Sequence, residues 1–497
     1  LKLADLANEI GATADGDLAA EARDVTHNSG QVTAGAVFVA IRGEKVDGNQ
    51  FVRQAIEQGA VAVISELPSE RSAADAPAWL QVTDARKALA LAAAAVHQHP
   101  SRQLRLVGIT GTNGKTTTAH LIDSIIRAAE GNSAMFGTIS YRIGREAATA
   151  GHTTPEASEI QRMLRQAVDT GCRSAVMEVS SHAIDLHRAD ALTFAVAVFT
   201  NLTRDHLDFH QSMESYFAAK RKLFDGSLGS DPSVSVINCD DDYGRILART
   251  ARGRLITYGL RDDADVRTSG FSVSARGVIF SATTPLGEFE ISSRLVGRPH
   301  VYNLLAAIAT GVALGFDLEA IARGVRNCAR VAGRFEQVTV EGAEQPPFTV
   351  VVDYAHTDDA LKNVLQTARE VAGESGRVIS VFGCGGDRDR TKRAPMGEIA
   401  GVLSDFAIVT SDNPRTENPD SIIAEIEIGL KRAGKPYLKM ADRREAIFRA
   451  VAEAQDGDLV LIAGKGHETY QILGTRRIDF DDREVAREAI RQRIGHE

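Results

Sequence analysis

Short aliphatic and β-branched runs alternate along most of the chain with segments whose apolar positions recur every three or four residues. This alternation predicts an α/β fold built on largely parallel sheets. The stretch ALALAAAAV before His97 reads as a buried helix, being too short to span a membrane. The polar, proline-containing HQHPSRQ then separates the first part of the chain from the strand LRLVGIT. Residues 260–295 alternate apolar and polar positions between glycines, which predicts antiparallel hairpins. A further break falls at Ala332-Gly333-Arg334, where a helical segment gives way to new strands. Beyond it FTVVVDYAH, RVISVFGCGG, FAIVTSDNPR and DLVLIAGKGHE each read as a strand running into a loop rich in Gly, Asp, Asn or charge. Helical patterns such as TDDALKNVLQTAREVA and NPDSIIAEIEIGLKRAG lie between them. Open parallel sheets bind ligands beyond the carboxyl ends of their strands, so these loops are the places to look for chemistry.

At 497 residues the chain exceeds one core and predicts three domains, 1–88, 89–333 and 334–497. Hydrophobic residues make up 43% and charged residues 25%, as in a soluble globular protein. The net charge of −9 comes from interspersed acids and bases, which argues against a nucleic-acid partner and its basic stripe. The four cysteines form no CxxC pair, so neither a disulfide framework nor a zinc cluster is expected, and a reducing cytoplasm fits. No signal peptide and no membrane span are read from the sequence.

The segment LRLVGITGTNGKTTTAHLIDSII reads as strand, phosphate loop and helix. Gly111 and Gly114 let backbone N–H groups approach phosphates, Lys115 supplies a cation, and Thr116 is a magnesium ligand candidate. Thr112, Asn113 and Thr117 complete the expected nucleotide loop. Ile109 stands where the general motif places its first glycine; the glycines sit at 108 and 111. Two further strands end in candidate ligands, Glu178 in SAVMEVSSH and Asp205 with His206 in FAVAVFTNLTRDHLDFH. Three strand ends then converge on one crevice. Histidine is an unusual ligand for magnesium, which prefers oxygen. In ESYFAAKRKLF, Tyr216, Phe217, Leu223 and Phe224 form one helix face with Lys220 in its middle. A lysine there must snorkel, find an anion or change its charge, and carbamylation by carbon dioxide is the sharpest of these options.

Taken in order, TGTNGKTTT, HTTPE, MEVSSHAIDLHR, TNLTRDHLDFH, YFAAKRKLF, GRF, DYAHTDDAL and GKGHE resemble the Mur ligase family over nearly the whole chain. The resemblance implies a UDP-binding N-terminal domain, a central P-loop ATPase-type domain and a C-terminal Rossmann-like domain that receives the amino acid. It implies an ATP-dependent ligase of cell-wall precursor synthesis, with ATP as co-substrate and Mg2+ as cofactor. Its partners would be small molecules: ATP, a UDP-N-acetylmuramoyl dipeptide and an amino acid. A cytoplasmic monomer is expected.

Carried over by position, the catalytic set is Lys115, Glu178, His206 and Lys220. Thr116, Glu178, His206 and carbamylated Lys220 are the metal ligands, and Asn303, Arg334 and Asp353 hold the nucleotide across the domain junction. Ser29, Glu44, Lys45 and Val46 match UDP contacts; Thr153, Thr154, Ser180 and Arg188 match contacts to the muramoyl dipeptide. Gly30, Leu186 and His300 depart from the family's usual arginine, glutamine and asparagine. The loop SDNPR resembles the diaminopimelate-adding branch, with Arg388, Asp412, Asn413, Pro414, Arg415, Gly464 and Glu468 as its amino-acid contacts. A planar guanidinium suits the distal carboxylate that lysine lacks. Lysine-adding and folate polyglutamylating relatives, and a non-catalytic P-loop regulator, are the alternatives.

Overall fold

The computed structural model describes residues 1–43, 46–69, 77–340 and 345–495. Among these, the strands form three sheets in succession along the chain, plus one two-stranded hairpin. The first sheet runs Thr13–Asp15, Ala78–Gln81, Ala62–Ser65, Ala36–Val39, Asp24–Thr26, with only the first strand antiparallel. The alanine-rich segment forms the helix Ala85–Val96, started by Asp84, whose side chain accepts from the Lys87 amide. Its small side chains share the buried cluster of Val37 and Ile64. A boundary at 88 therefore passes through this helix; the chain leaves the first sheet at HQHPSRQ, where Pro100–Arg102 makes a short 3-10 turn.

The second sheet has a parallel core in the order Val266–Arg267, Arg254–Gly259, Val234–Asn238, Val196–Phe199, Arg105–Thr110, Ser174–Glu178, Ala134–Phe136. Alternation decides what each face covers. Val107 and Ile109 join Ile122 and Leu304 of the helices Lys115–Glu130 and Arg298–Ala313. Leu106, pointing the other way, joins Ile160, Tyr216 and Phe224 on the opposite face. The region 260–295 forms the expected antiparallel strands, Phe271–Ser274, Gly277–Thr284 and Gly287–Ser293. The central position of Arg105–Thr110, between Ser174–Glu178 and Val196–Phe199, brings three loops out side by side.

The third sheet runs Glu336–Gln337, Thr349–Asp353, Leu459–Ala463, Val378–Phe382, Phe406–Thr410, Tyr437–Met440, parallel after its first strand. The predicted helices are Asp358–Ala372 and Pro419–Ala433. No helix among the described residues is long and apolar enough to cross a membrane.

Candidate active site

The strand Arg105–Thr110 turns at Gly111 into the helix Lys115–Glu130. Gly111 has φ +150°, and a Cβ there would lie 1.9 Å from Thr200 Oγ1. Gly114 has φ +87°, and a Cβ would meet Asn303 Oδ1 at 2.4 Å. Gly108 serves packing instead, since a Cβ would strike the Phe194 ring at 2.6 Å. Ile109 is buried within the strand, which is why the motif's first glycine position holds an apolar residue. Lys115 Nζ donates to the carbonyls of Gly111 and Thr112, both at 2.8 Å. Burial lowers its pKa, with Glu178 and Asp205 opposing the shift. Gly111→Ala is expected to weaken ATP binding at least about ten-fold, which titration with a fluorescent nucleotide would measure.

Glu178 ends its strand buried. Its Oε2 accepts from the hydroxyls of Thr116 and Thr138, each at 3.0 Å, and its Oε1 accepts from the Thr138 amide at 2.8 Å. A Cβ on Gly137 would lie 2.5 Å from Oε1, so glycine is what admits this carboxylate. Thr153 and Thr154 continue the polar seam: the Thr153 and Thr138 hydroxyls lie 3.1 Å apart, and Thr154 donates to the Glu178 carbonyl at 2.9 Å. Ser180 caps the helix Ser181–Asp185 and bonds Thr154. Arg188 donates to the Thr154 carbonyl at 3.2 Å, while its buried Nε has no hydrogen-bond partner among the described residues. Four of the expected peptide-binding residues thus stand together beside Glu178.

His206 adopts a left-handed backbone, φ +54°, starting the short helix Leu207–His210. Its Nε2 lies 3.3 Å from Asp205, and its ring packs edge-on to His182. Burial foremost, then the neighbouring His182, Lys115 and Lys220, lowers its pKa against the pull of Asp205. Lys220 is 1% exposed on the helix Met213–Arg221. Its Nζ donates to the Gly111 carbonyl at 2.9 Å and sits over the Tyr216 ring. It does not snorkel. Burial, reinforced by the Lys115 charge, holds its pKa well below the usual lysine range. The amine lies behind the phosphate loop, not on the wall of the cleft.

That cleft, about 280 Å3, is lined by Lys115, Thr116, Glu178, Asp205, His206, Thr153 and Ser180. His300, Asn303, Arg334 and Asp353 line it too. Arg334 Nη2 donates to Thr116 Oγ1 at 3.1 Å across the junction and its guanidinium covers the Tyr354 ring. Asp353 accepts from the amides of Phe335 at 2.7 Å and Ala355 at 2.8 Å, and burial raises its pKa. His300, at the position of the departure from the family pattern, lies 3.3 Å from Asn303 Nδ2. Burial, then Arg334, pushes its pKa down to about 4.

A second cluster occupies strand-end loops of the third sheet. Asn413 Nδ2 donates to Glu468 at 2.9 Å, and its Oδ1 accepts from Lys465 at 3.2 Å. Lys465, fully buried, also pairs with Glu468 at 3.2 Å and Asp412 at 3.5 Å. Burial raises the Glu468 pKa, against the pull of Lys465. Gly464, φ +120°, passes so close that a Cβ would lie 3.3 Å from Asp412 Oδ2. Arg415 has φ +51° and donates through Nη1 to the Gly386 carbonyl at 2.8 Å. Its amide bonds the Ile472 carbonyl, tying the loop to the strand Tyr470–Leu473 of the two-stranded hairpin. Arg388 is exposed and, like Arg415, flanks Gly385; Pro414 packs its carbonyl against Gly386.

Two residues of this machinery escaped the sequence reading. Thr138 follows a weak FGTIS pattern, whereas Lys465 lay inside the quoted GKGHE and its burial among acids was the missing signal. Lys465→Ala would leave carboxylates buried without their cation and is expected to cost about 3–5 kcal/mol, read as a lower urea midpoint. Ser29 donates to Gln54 at 3.1 Å and Val46 is exposed on the first-sheet side; neither lines the cleft. Glu44 and Lys45 lie outside the described residues.

Comparison with known families matches three segments: "Mur ligase family, catalytic domain" at 21–97, "Mur ligase middle domain" at 109–311, and "Mur ligase, glutamate ligase domain" at 333–466. The chain is 48% identical to the UDP-N-acetylmuramoyl-L-alanyl-D-glutamate–2,6-diaminopimelate ligase of Solibacter usitatus, over 95% of this chain and 94% of that one. The enzyme of the same name from Geobacter metallireducens is 47% identical over 99% of both. A solved ligase of that name superposes with TM-score 0.69 at 32% identity, covering 99% of both chains. The D-alanyl-D-alanyl-adding ligase of Acinetobacter baumannii shares the fold, with TM-score 0.66 at 19% identity over 100% of this chain and 98% of that one. With the phosphate loop, the Glu178 seam and the acid–lysine cluster in these positions, the chain belongs to the Mur ligase family.

Proposed function

We propose that this chain is the ATP-dependent ligase that adds meso-diaminopimelate to UDP-N-acetylmuramoyl-L-alanyl-D-glutamate in peptidoglycan precursor synthesis, acting as a cytoplasmic monomer. The observation that carries the reading is the 411–415 loop, where Asn413 is fixed by Glu468 and Lys465 and Arg415 stands next to Arg388. This arrangement offers guanidinium to a distal carboxylate and carboxylate to a distal ammonium. The unit built on the first sheet would hold the UDP end through Ser29 and the 44–46 segment, the loops of the second sheet ATP, and those of the third sheet the amino acid.

Glu178 supports a magnesium site, being a buried carboxylate bonded by hydroxyls and an amide and without an ion pair among the described residues. No group of three or more His, Cys, Asp and Glu gathers as a cage among those residues. Magnesium needs none, because it takes one or two protein carboxylates and fills its shell with phosphate oxygens and water. When bound, it neutralises the charge of the transferring phosphoryl group. Thr116, Glu178, His206 and Lys220 would hold it. For Lys220 this requires the neutral amine to add carbon dioxide, forming a carbamate and releasing one proton. The low pKa of its buried amine supports that step, and the new carboxylate would carry oxygen toward the cleft.

Lys115 and the loop amides position the triphosphate. Thr153, Thr154, Ser180 and Arg188 hold the dipeptide so that its glutamate carboxylate attacks the γ-phosphorus, forming an acyl phosphate and ADP. Arg334 and Asp353 close the cleft against water, which would otherwise hydrolyse this species. The diaminopimelate amine then displaces phosphate from the carbonyl carbon, forming the amide. Offering the UDP-dipeptide, ATP and equal diaminopimelate and lysine tests the assignment. Product mass should show diaminopimelate addition favoured by about 10³-fold or more; a dominant lysine product would reject it.

A further inference from the structure

Two domains grip the phosphate loop at one residue. From the middle domain, the Asn113 amide donates to Asn201 Oδ1 at 2.9 Å. Its carbonyl accepts from Thr200 Oγ1 at 2.7 Å and from Asn201 Nδ2 at 3.1 Å. These bonds fix the backbone of Asn113, and its side-chain Nδ2 donates within the same domain to Thr203 Oγ1 at 3.4 Å. That side chain crosses the junction, and Nδ2 donates to Asp359 Oδ2 at 3.0 Å. Asp359 lies in the first turn of Asp358–Ala372, a helix begun by Thr357, where a carboxylate suits the helix dipole. Asn363, one turn along, donates to the same Asp359 oxygen at 3.3 Å and so orients it. Next door Arg204, three residues beyond Asn201, pairs with Asp358 at 2.9 Å. Two consecutive acids at one helix start thus hold both loops that frame the triphosphate position.

A carboxylate gains nothing by approaching a triphosphate directly, since the two repel. Its use here is the bond to Asn113. We propose that Asp359 is a positioning residue: through Asn113 it couples docking of the C-terminal domain to the shape of the phosphate loop. The loop is completed only when the domain that brings the amino acid is seated. Phosphoryl transfer is thereby tied to the presence of the acceptor half of the site. This inference rests on the ligase reading of the cleft and adds a residue to it.

The test is steady-state kinetics of the full chain with UDP-dipeptide, ATP and diaminopimelate. D359A should raise the KM for ATP roughly ten-fold or more, leaving the KM for diaminopimelate within about two-fold. D359N keeps an accepting oxygen and should recover most of what D359A loses. The doubly substituted N113A/D359A chain should lose clearly less than the two single losses combined, because the bond between the two side chains is removed by either change. Should D359A unfold, D359S carries the comparison, since serine keeps a polar group in the first turn of the helix capped by Thr357 but is too short to reach Asn113. A KM for ATP unmoved in D359A, or additive losses in the double variant, would overturn the positioning role. The wild-type chain separates the two failures. If it releases no phosphate in response to diaminopimelate, the ligase reading falls and this one with it.

Discussion

Lys220→Ala is expected to lower kcat by about 10³-fold, with part of the loss restored by millimolar formate or acetate. The wild-type side chain is an amine buried on the Gly111 carbonyl and over the Tyr216 ring, with no counter-charge among its hydrogen-bond partners. Its pKa is low because protonation in that setting means burying a charge. A neutral amine there would be nucleophilic toward carbon dioxide, and the resulting carbamate would supply the anion that the proposed phosphoryl transfer needs. Removing the side chain opens a space behind the phosphate loop, into which a small carboxylate fits in place of the lost carbamate. Full activity in the variant would remove the carbamate from the mechanism. A dead variant that no carboxylate rescues, while still folded, would reduce Lys220 to a support for Gly111.

Arg415→Ala should raise the KM for diaminopimelate about 100-fold while leaving the KM for ATP within two-fold. The residue stands in a left-handed conformation that costs a non-glycine residue energy, held by its own amide on Ile472 and its carbonyl under Gly474. Backbone strain kept at a cationic side chain beside a second arginine points to a ligand contact. Discrimination against lysine should shrink in the same variant, because the carboxylate that lysine lacks has lost its partner. Unchanged kinetics for both substrates would reject the specificity assignment.

Much of this was legible from residue order. A strand, a glycine loop and a helix in succession leave few folded outcomes, and Thr110, Glu178 and Phe199 do end adjacent parallel strands. Lys220 was conspicuous because it falls among apolar side chains, a pattern that left snorkelling, an anion or a change of charge open; the structure buries it, on a helix that ends at Arg221, before Leu223 and Phe224. Contacts between distant segments were not legible. Asn113 and Asp359 are 246 residues apart, and neither has a pattern that names the other. Lys465 was hidden for a different reason: a lysine between glycines reads as a loop cation until the sheet brings Asp412 and Glu468 around it. The polar HQHPSRQ marked the end of the first unit better than a boundary at 88 did, because helix packing carries the first core on through Ala95.

The central claim is that ATP activates the peptide carboxylate so that an amine can displace phosphate. It is tested most directly by labelling the glutamate γ-carboxylate of the UDP-dipeptide with oxygen-18 and running the complete reaction with diaminopimelate. The account requires one labelled oxygen to appear in each phosphate released, in step with amide formation. Unlabelled phosphate accompanying the same product would contradict it.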